Sequence, residues 1–182
     1  MIPAWVADAL TLSRALLGAL LALVLAQGWL SPAAALLSTA WLTDLADGRV
    51  ARAAGGPTRL GAFDLAADTL VGIGVLVGLA AGGAFPMPVA AIAILVLGGG
   101  YVFLRNEALA MSLQAIGYAA FLWRLWTAGS AWVWIPVLTV AVIAIADRRR
   151  FTGNVLPRFF GGLRPALALR RASGSRLPSD GP

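Results

Sequence analysis

The stretch TDLADGRVARAAGGPTRLGAFDLAAD, from Thr43 to Asp68, decides how the rest of the chain is read. It holds Asp44, Asp47, Asp64 and Asp68, half of the eight acidic residues, together with Arg49, Arg52 and Arg59. Around it the chain is almost entirely apolar. Of 182 residues 60% are hydrophobic and 12% charged, and the mean hydropathy is +0.85. A soluble domain carries about 25% charged residues. The surplus of apolar surface therefore needs lipid to cover it. Uncharged runs at Ala15–Thr43, Thr69–Leu104, Ala108–Trp123 and Leu125–Ala146 agree. A helical span needs about 20 apolar residues, so the two longest runs each feed more than one span.

This predicts an all-α integral membrane protein with six transmembrane helices. The expected spans are Leu10–Gln27, Pro32–Arg52, Arg59–Gly82, Pro86–Leu104, Asn106–Trp126 and Trp132–Asp147. Glycine, serine and proline fall between them, where the chain must turn. A short segment before the first span, IPAWVAD, is expected to lie in the membrane interface. A cleaved signal peptide is not expected, because the first apolar stretch is long and lacks a basic region before it. Residues 1–150 then form one membrane domain, and residues 151–182 a basic, partly disordered cytoplasmic tail.

Arginine placement sets the expected orientation. With the N-terminus in the cytoplasm, all but one of the fourteen basic residues fall on the cytoplasmic side, the exception being Arg124. Trp29, Trp126, Trp132 and Trp134 then gather at the outer interface as an aromatic belt. Arg14, Arg49 and Arg59 read as ordinary positive-inside residues. The expected location is the inner (cytoplasmic) membrane, multi-pass, with both termini and the acidic cluster cytoplasmic. Nucleic-acid binding is not expected, since basic and aromatic residues are not interleaved as on such a surface.

With neither Cys nor His in the chain, thiolate nucleophiles, imidazole bases and the usual zinc ligands are excluded. Carboxylates that hold a hard cation through oxygen suit what remains. Residues three or four apart share a helix face. Asp44 and Asp47 therefore point one way near the end of the second span, and Asp64 and Asp68 do so near the start of the third. The short loop between makes these spans antiparallel neighbours, so four carboxylates meet at one membrane depth. Unpaired, each costs several kcal/mol of desolvation. Protonation in a proton or ion pathway, a structural knot with Arg49, Arg52 and Arg59, or divalent cations would each relieve that cost. Two divalent ions match four carboxylates in charge. A transporter would carry charge through both leaflets, whereas the outer half holds only Arg124.

The order Asp44-x2-Asp47-Gly48-x2-Ala51-Arg52-x8-Gly61-x2-Asp64-x3-Asp68 resembles the signature of the CDP-alcohol phosphotransferase (phosphatidyltransferase) family, D-x2-D-G-x2-A-R-x8-G-x3-D-x3-D. The N-terminal DALTLSR resembles the family's N-x-L-T-x-x-R, with Asp8 where Asn is usual. The likeness covers roughly residues 5–150. It departs from the family at one place: only Ala62 and Phe63 separate Gly61 from Asp64. Such an offset turns Gly61 by about 100° relative to Asp64 and Asp68 if all lie on one helix, and it keeps a catalytically silent relative with a binding role among the readings.

The resemblance implies a metal-dependent enzyme of phospholipid synthesis. An alcohol attacks CDP-diacylglycerol, CMP leaves, and two Mg²⁺ or Mn²⁺ ions assist. By the family's pattern Asp44, Asp47, Asp64 and Asp68 are metal ligands, and Asp68 also takes the proton from the acceptor hydroxyl. Asp44, Gly48, Ala51 and Arg52 fall at nucleotide- and phosphate-binding positions. Arg105, Arg148, Arg149 and Arg150 are candidates for holding an acceptor phosphate, which would favour glycerol 3-phosphate or inositol phosphate. The resemblance also implies a homodimer.

Overall fold

The computed structural model describes residues 5–53 and 63–146. The chain is all-helical there, with no strand among the described residues. Six helices follow one another: α1 (Trp5–Ala26), α2 (Leu30–Ala53), α3 (Asp64–Ala81), α4 (Met87–Leu104), α5 (Glu107–Thr127) and α6 (Trp134–Ala146). A 3₁₀ turn, Ala131–Val133, leads into α6, and a π-helical turn, Ile94–Gly98, interrupts α4.

Four of these helices, α1 from Asp8, α3, α4 and α5, are long and apolar enough to cross a membrane. Ala131–Ala146 is a shorter apolar stretch. The second helix is not among the four; it carries Asp44, Asp47, Arg49 and Arg52 towards its end. The chain is thus a multi-pass membrane protein built around one charged helix. Trp5–Asp8, from the segment expected in the membrane interface, forms the first turn of α1, since no glycine or proline separates it from Leu10. Residues 59–62, expected at the start of the third span, lie outside the described residues, as do Asp147 and the tail.

Turn chemistry fixes the antiparallel order. Three helices end in the same way at the same end of the bundle. Gly28, Gly83 and Gly129 take left-handed backbone, with φ of 73°, 70° and 62°. Each is followed by an N–H that reaches back five residues: Trp29 to Val24, Ala84 to Leu79 and Ser130 to Leu125. That closes the last carbonyls of a helix where a side chain at positive φ would be strained. At the other end Asn106 caps α5 by accepting the Ala108 N–H at 3.0 Å.

Packing centres on α3, which lies between α1 and α5. Membrane helices gain little from burying apolar surface against one another, so close backbone approach matters more. Gly74 and Gly78, four residues apart, face α1. A Cβ on Gly74 would lie 2.0 Å from the Gly18 carbonyl oxygen, and one on Gly78 2.8 Å from that of Ala22. On the opposite side Gly72 meets Gly117 of α5, whose Cβ would lie 2.9 Å from the Gly72 oxygen. The core between these contacts repeats every three or four residues, as one helix face requires: Leu21 and Leu25, then Ala33, Leu37 and Ala40, then Val71, Val75 and Leu79, then Phe121 and Leu125. This packing sets α1, α2 and α3 side by side at the level of their acidic and basic residues.

Candidate metal and phosphoryl-transfer site

Side chains from three helices meet at one point. From α2 come Asp44 and Asp47, from α3 Asp64 and Asp68, and from α1 Arg14. The guanidinium lies at the centre. Its Nη1 donates to Asp44 Oδ1 at 2.9 Å and to Asp68 Oδ1 at 2.5 Å. Its Nη2 donates to Asp47 and Asp64. Each terminal nitrogen thus bridges one carboxylate of α2 and one of α3. Arg14 is completely buried, and its Nε has no hydrogen-bond partner among the described residues.

The expected convergence of four carboxylates is what the structure contains, and the shortened Gly61–Asp64 interval does not keep the two pairs apart. Gly61 itself lies outside the described residues. Oxygens of Asp44, Asp64 and Asp68 all lie within 4.8 Å of one another. The side chains of these three are 35%, 30% and 24% exposed, against 7% for Asp47. The cluster therefore has an open side, formed by Asp44, Asp64 and Asp68, and a closed side where Asp47 meets the arginine. Four negative charges surround one positive charge. Like charges this close repel by roughly 3–4 kcal/mol per pair at an effective dielectric near 20, so one guanidinium cannot offset all of them.

Neighbouring groups brace the site. Thr69, next to Asp68, accepts from Gln114 Nε2 of α5 at 3.3 Å and donates to the Leu65 carbonyl at 2.7 Å. Trp41, one turn before Asp44, packs edge-on against Tyr118 of α5, ring centroids 5.1 Å apart. The fifth helix thereby holds both acid-bearing helices.

Arg14 corrects the reading of the arginines. It is not a surface charge at the membrane face but the centre of the acidic cluster. Arg49, weighed as a partner for the acids, is exposed and makes none of the ion pairs with them. For Arg14 the available signal was its place as the final residue of DALTLSR, with Ala15–Thr43 uncharged behind it. Gly48, Ala51 and Arg52 lie in α2, but their side chains are outside what the structure describes. Arg59 and Arg148–Arg150 are outside the described residues altogether. Arg105 is exposed, in left-handed backbone (φ 50°) at the end of α4, and makes no ion pair with the four aspartates.

In a comparison with protein families, the model of the CDP-alcohol phosphatidyltransferase family aligns with residues 4–146. Comparisons with curated proteins and with solved structures give no match.

Proposed function

The chain belongs to the CDP-alcohol phosphatidyltransferase family, whose members transfer a phosphate-linked group from a CDP-alcohol, and from that premise we propose that it transfers a phosphatidyl group from CDP-diacylglycerol to an alcohol, releasing CMP. The carrying observation is the convergence of Asp44, Asp47, Asp64 and Asp68 around one buried cation. A purely structural salt-bridge knot accounts for it poorly, because among the described residues four carboxylates share a single guanidinium. Hard carboxylate oxygens on an open side fit Mg²⁺ or Mn²⁺, and the position already accommodates positive charge. Asp44, Asp47, Asp64 and Asp68 would hold the ions. When bound, two such ions offset charge on the entering and leaving oxygens of a displacement at phosphorus.

The chain's own residues supply the rest. Asp68 takes the proton from the acceptor hydroxyl as its oxygen bonds to the lipid-bearing phosphorus and the bond to CMP breaks. Gly48 and Ala51, small residues on α2, let the cytidine diphosphate approach the helix backbone. Arg52 grips a phosphate oxygen with its planar fork. Arg105 and Arg148–Arg150 favour an acceptor that itself carries phosphate, such as glycerol 3-phosphate or inositol phosphate. The site faces the cytoplasm, where arginine placement puts it, and two copies of the chain pair as the family resemblance implies.

Incubating purified protein with CDP-diacylglycerol, Mn²⁺ and a panel of alcohols tests this. CMP release is expected with one alcohol class, to stop on chelation with EDTA, and to return when Mn²⁺ is restored. No CMP release with any alcohol, or release indifferent to EDTA, would contradict the proposal.

A further inference from the structure

Arg14 occupies the ground that the ions need. Both of its terminal nitrogens are committed to carboxylates, and they take an oxygen from every one of the four aspartates. Three of those aspartates, Asp44, Asp64 and Asp68, are also the set whose oxygens come close enough together to share one ion. A guanidinium and a divalent cation at the same cluster draw on the same carboxylates and repel one another, and burial sharpens that repulsion. The arginine is also positioned to yield. Among the described residues its terminal nitrogens alone hold it, because Nε makes no hydrogen bond to any of them. It is itself wholly buried, while Asp44, Asp64 and Asp68 remain partly exposed. An ion arriving from solvent therefore has access to these three carboxylates while the arginine does not.

We propose that Arg14 is a tethered counter-cation of the acidic cluster: it holds the four carboxylates together without metal and competes with divalent cations for them. Loading then requires the guanidinium to loosen its bonds to the open-side aspartates, and metal affinity is set partly by this internal competitor. The inference rests on the reading above that the cluster binds divalent ions. It differs from a merely structural role in the sign of one measurement. A residue that only organised the carboxylates would, when removed, weaken metal binding; a competitor, when removed, strengthens it.

The test is Mn²⁺ binding to the purified full chain in detergent, without any CDP-lipid, followed by electron spin resonance of the free ion. Arg14→Met is expected to bind Mn²⁺ about tenfold or more tightly than the wild type. It is also expected to unfold at a lower temperature in EDTA, with Mn²⁺ removing the deficit. Arg14→Lys keeps the charge but lacks the planar fork that reaches four carboxylates at once, and is expected to fall between the two. Affinity in Arg14→Met equal to or weaker than in the wild type overturns the proposal. Should Arg14→Met not fold, Arg14→Lys decides: tighter binding supports competition, and equal or weaker binding overturns it. Mn²⁺ binding to the wild type with no gain in the variants sinks this inference alone. Absence of Mn²⁺ binding from all three proteins sinks the metal reading on which it rests.

Discussion

Replacing Asp68 with Asn is expected to leave the helical bundle folded and to lower phosphatidyl transfer by about 10²–10⁴-fold, the usual worth of a positioned base. The amide keeps the size of the carboxylate, and its oxygen still accepts from Arg14 Nη1, the bond that measures 2.5 Å in the native chain. It removes one charge from a cluster in which, among the described residues, four carboxylates share one arginine, so the fold does not suffer. What it loses is the ability to take a proton. CMP release should therefore collapse while Mn²⁺ binding persists, and measuring both in parallel with Asp44→Asn separates base from ligand. A fall in Mn²⁺ affinity matching that of Asp44→Asn would make Asp68 chiefly a ligand.

Gly74→Ala is expected to damage the protein from a position that touches no candidate ligand. Its Cβ would lie 2.0 Å from the Gly18 carbonyl oxygen, where no side chain can give way because both partners are backbone. The helices α1 and α3 would have to part by roughly 1 Å, and overpacking of this kind costs about 1–3 kcal/mol. The same movement carries Asp64 and Asp68 away from Arg14, and a misplacement of about 1 Å can cost about 10²-fold in rate. Lower thermal stability in detergent and a loss of CMP release should appear together. Gly99→Ala is the control, since nothing lies within 4 Å of a Cβ there and alanine suits a helix better than glycine. Wild-type behaviour of Gly74→Ala would show that the two backbones do not meet as described.

Most of the helical plan was legible because lipid imposes it. Uncharged runs and glycine-bearing turns place all six helices to within a few residues, and the i, i+3 and i, i+4 spacing of the aspartates puts each pair on one face. What stayed hidden involves relations between helices. Periodicity says which face of α1 is apolar, but not that a charged residue on it meets the acids of two other helices. Arg14 looked like one more positive-inside residue because its partners are remote in sequence. The Gly18–Gly74 contact was equally unreadable, as a glycine in an apolar helix looks the same whether it serves close packing or nothing. The residue missing between Gly61 and Asp64 was visible as an oddity. Only the placement of α3, held by glycines on two sides, shows that the carboxylate pairs still meet.

The remoteness of those partners bears on how the chain is assembled. Arg14 belongs to α1, and the aspartates that bond to it lie 30, 33, 50 and 54 residues further along. At about 5–20 residues per second, the arginine waits several seconds for its full complement. Until then α1 carries an uncompensated charge, which costs about 2.5–3.5 kcal/mol at mid-membrane and less towards a helix end. A chain halted before Asp64 has made only the two partners on α2. Helix α1 therefore gains its full set of ion pairs only when α3 has joined it, so the arginine couples the assembly of α1, α2 and α3.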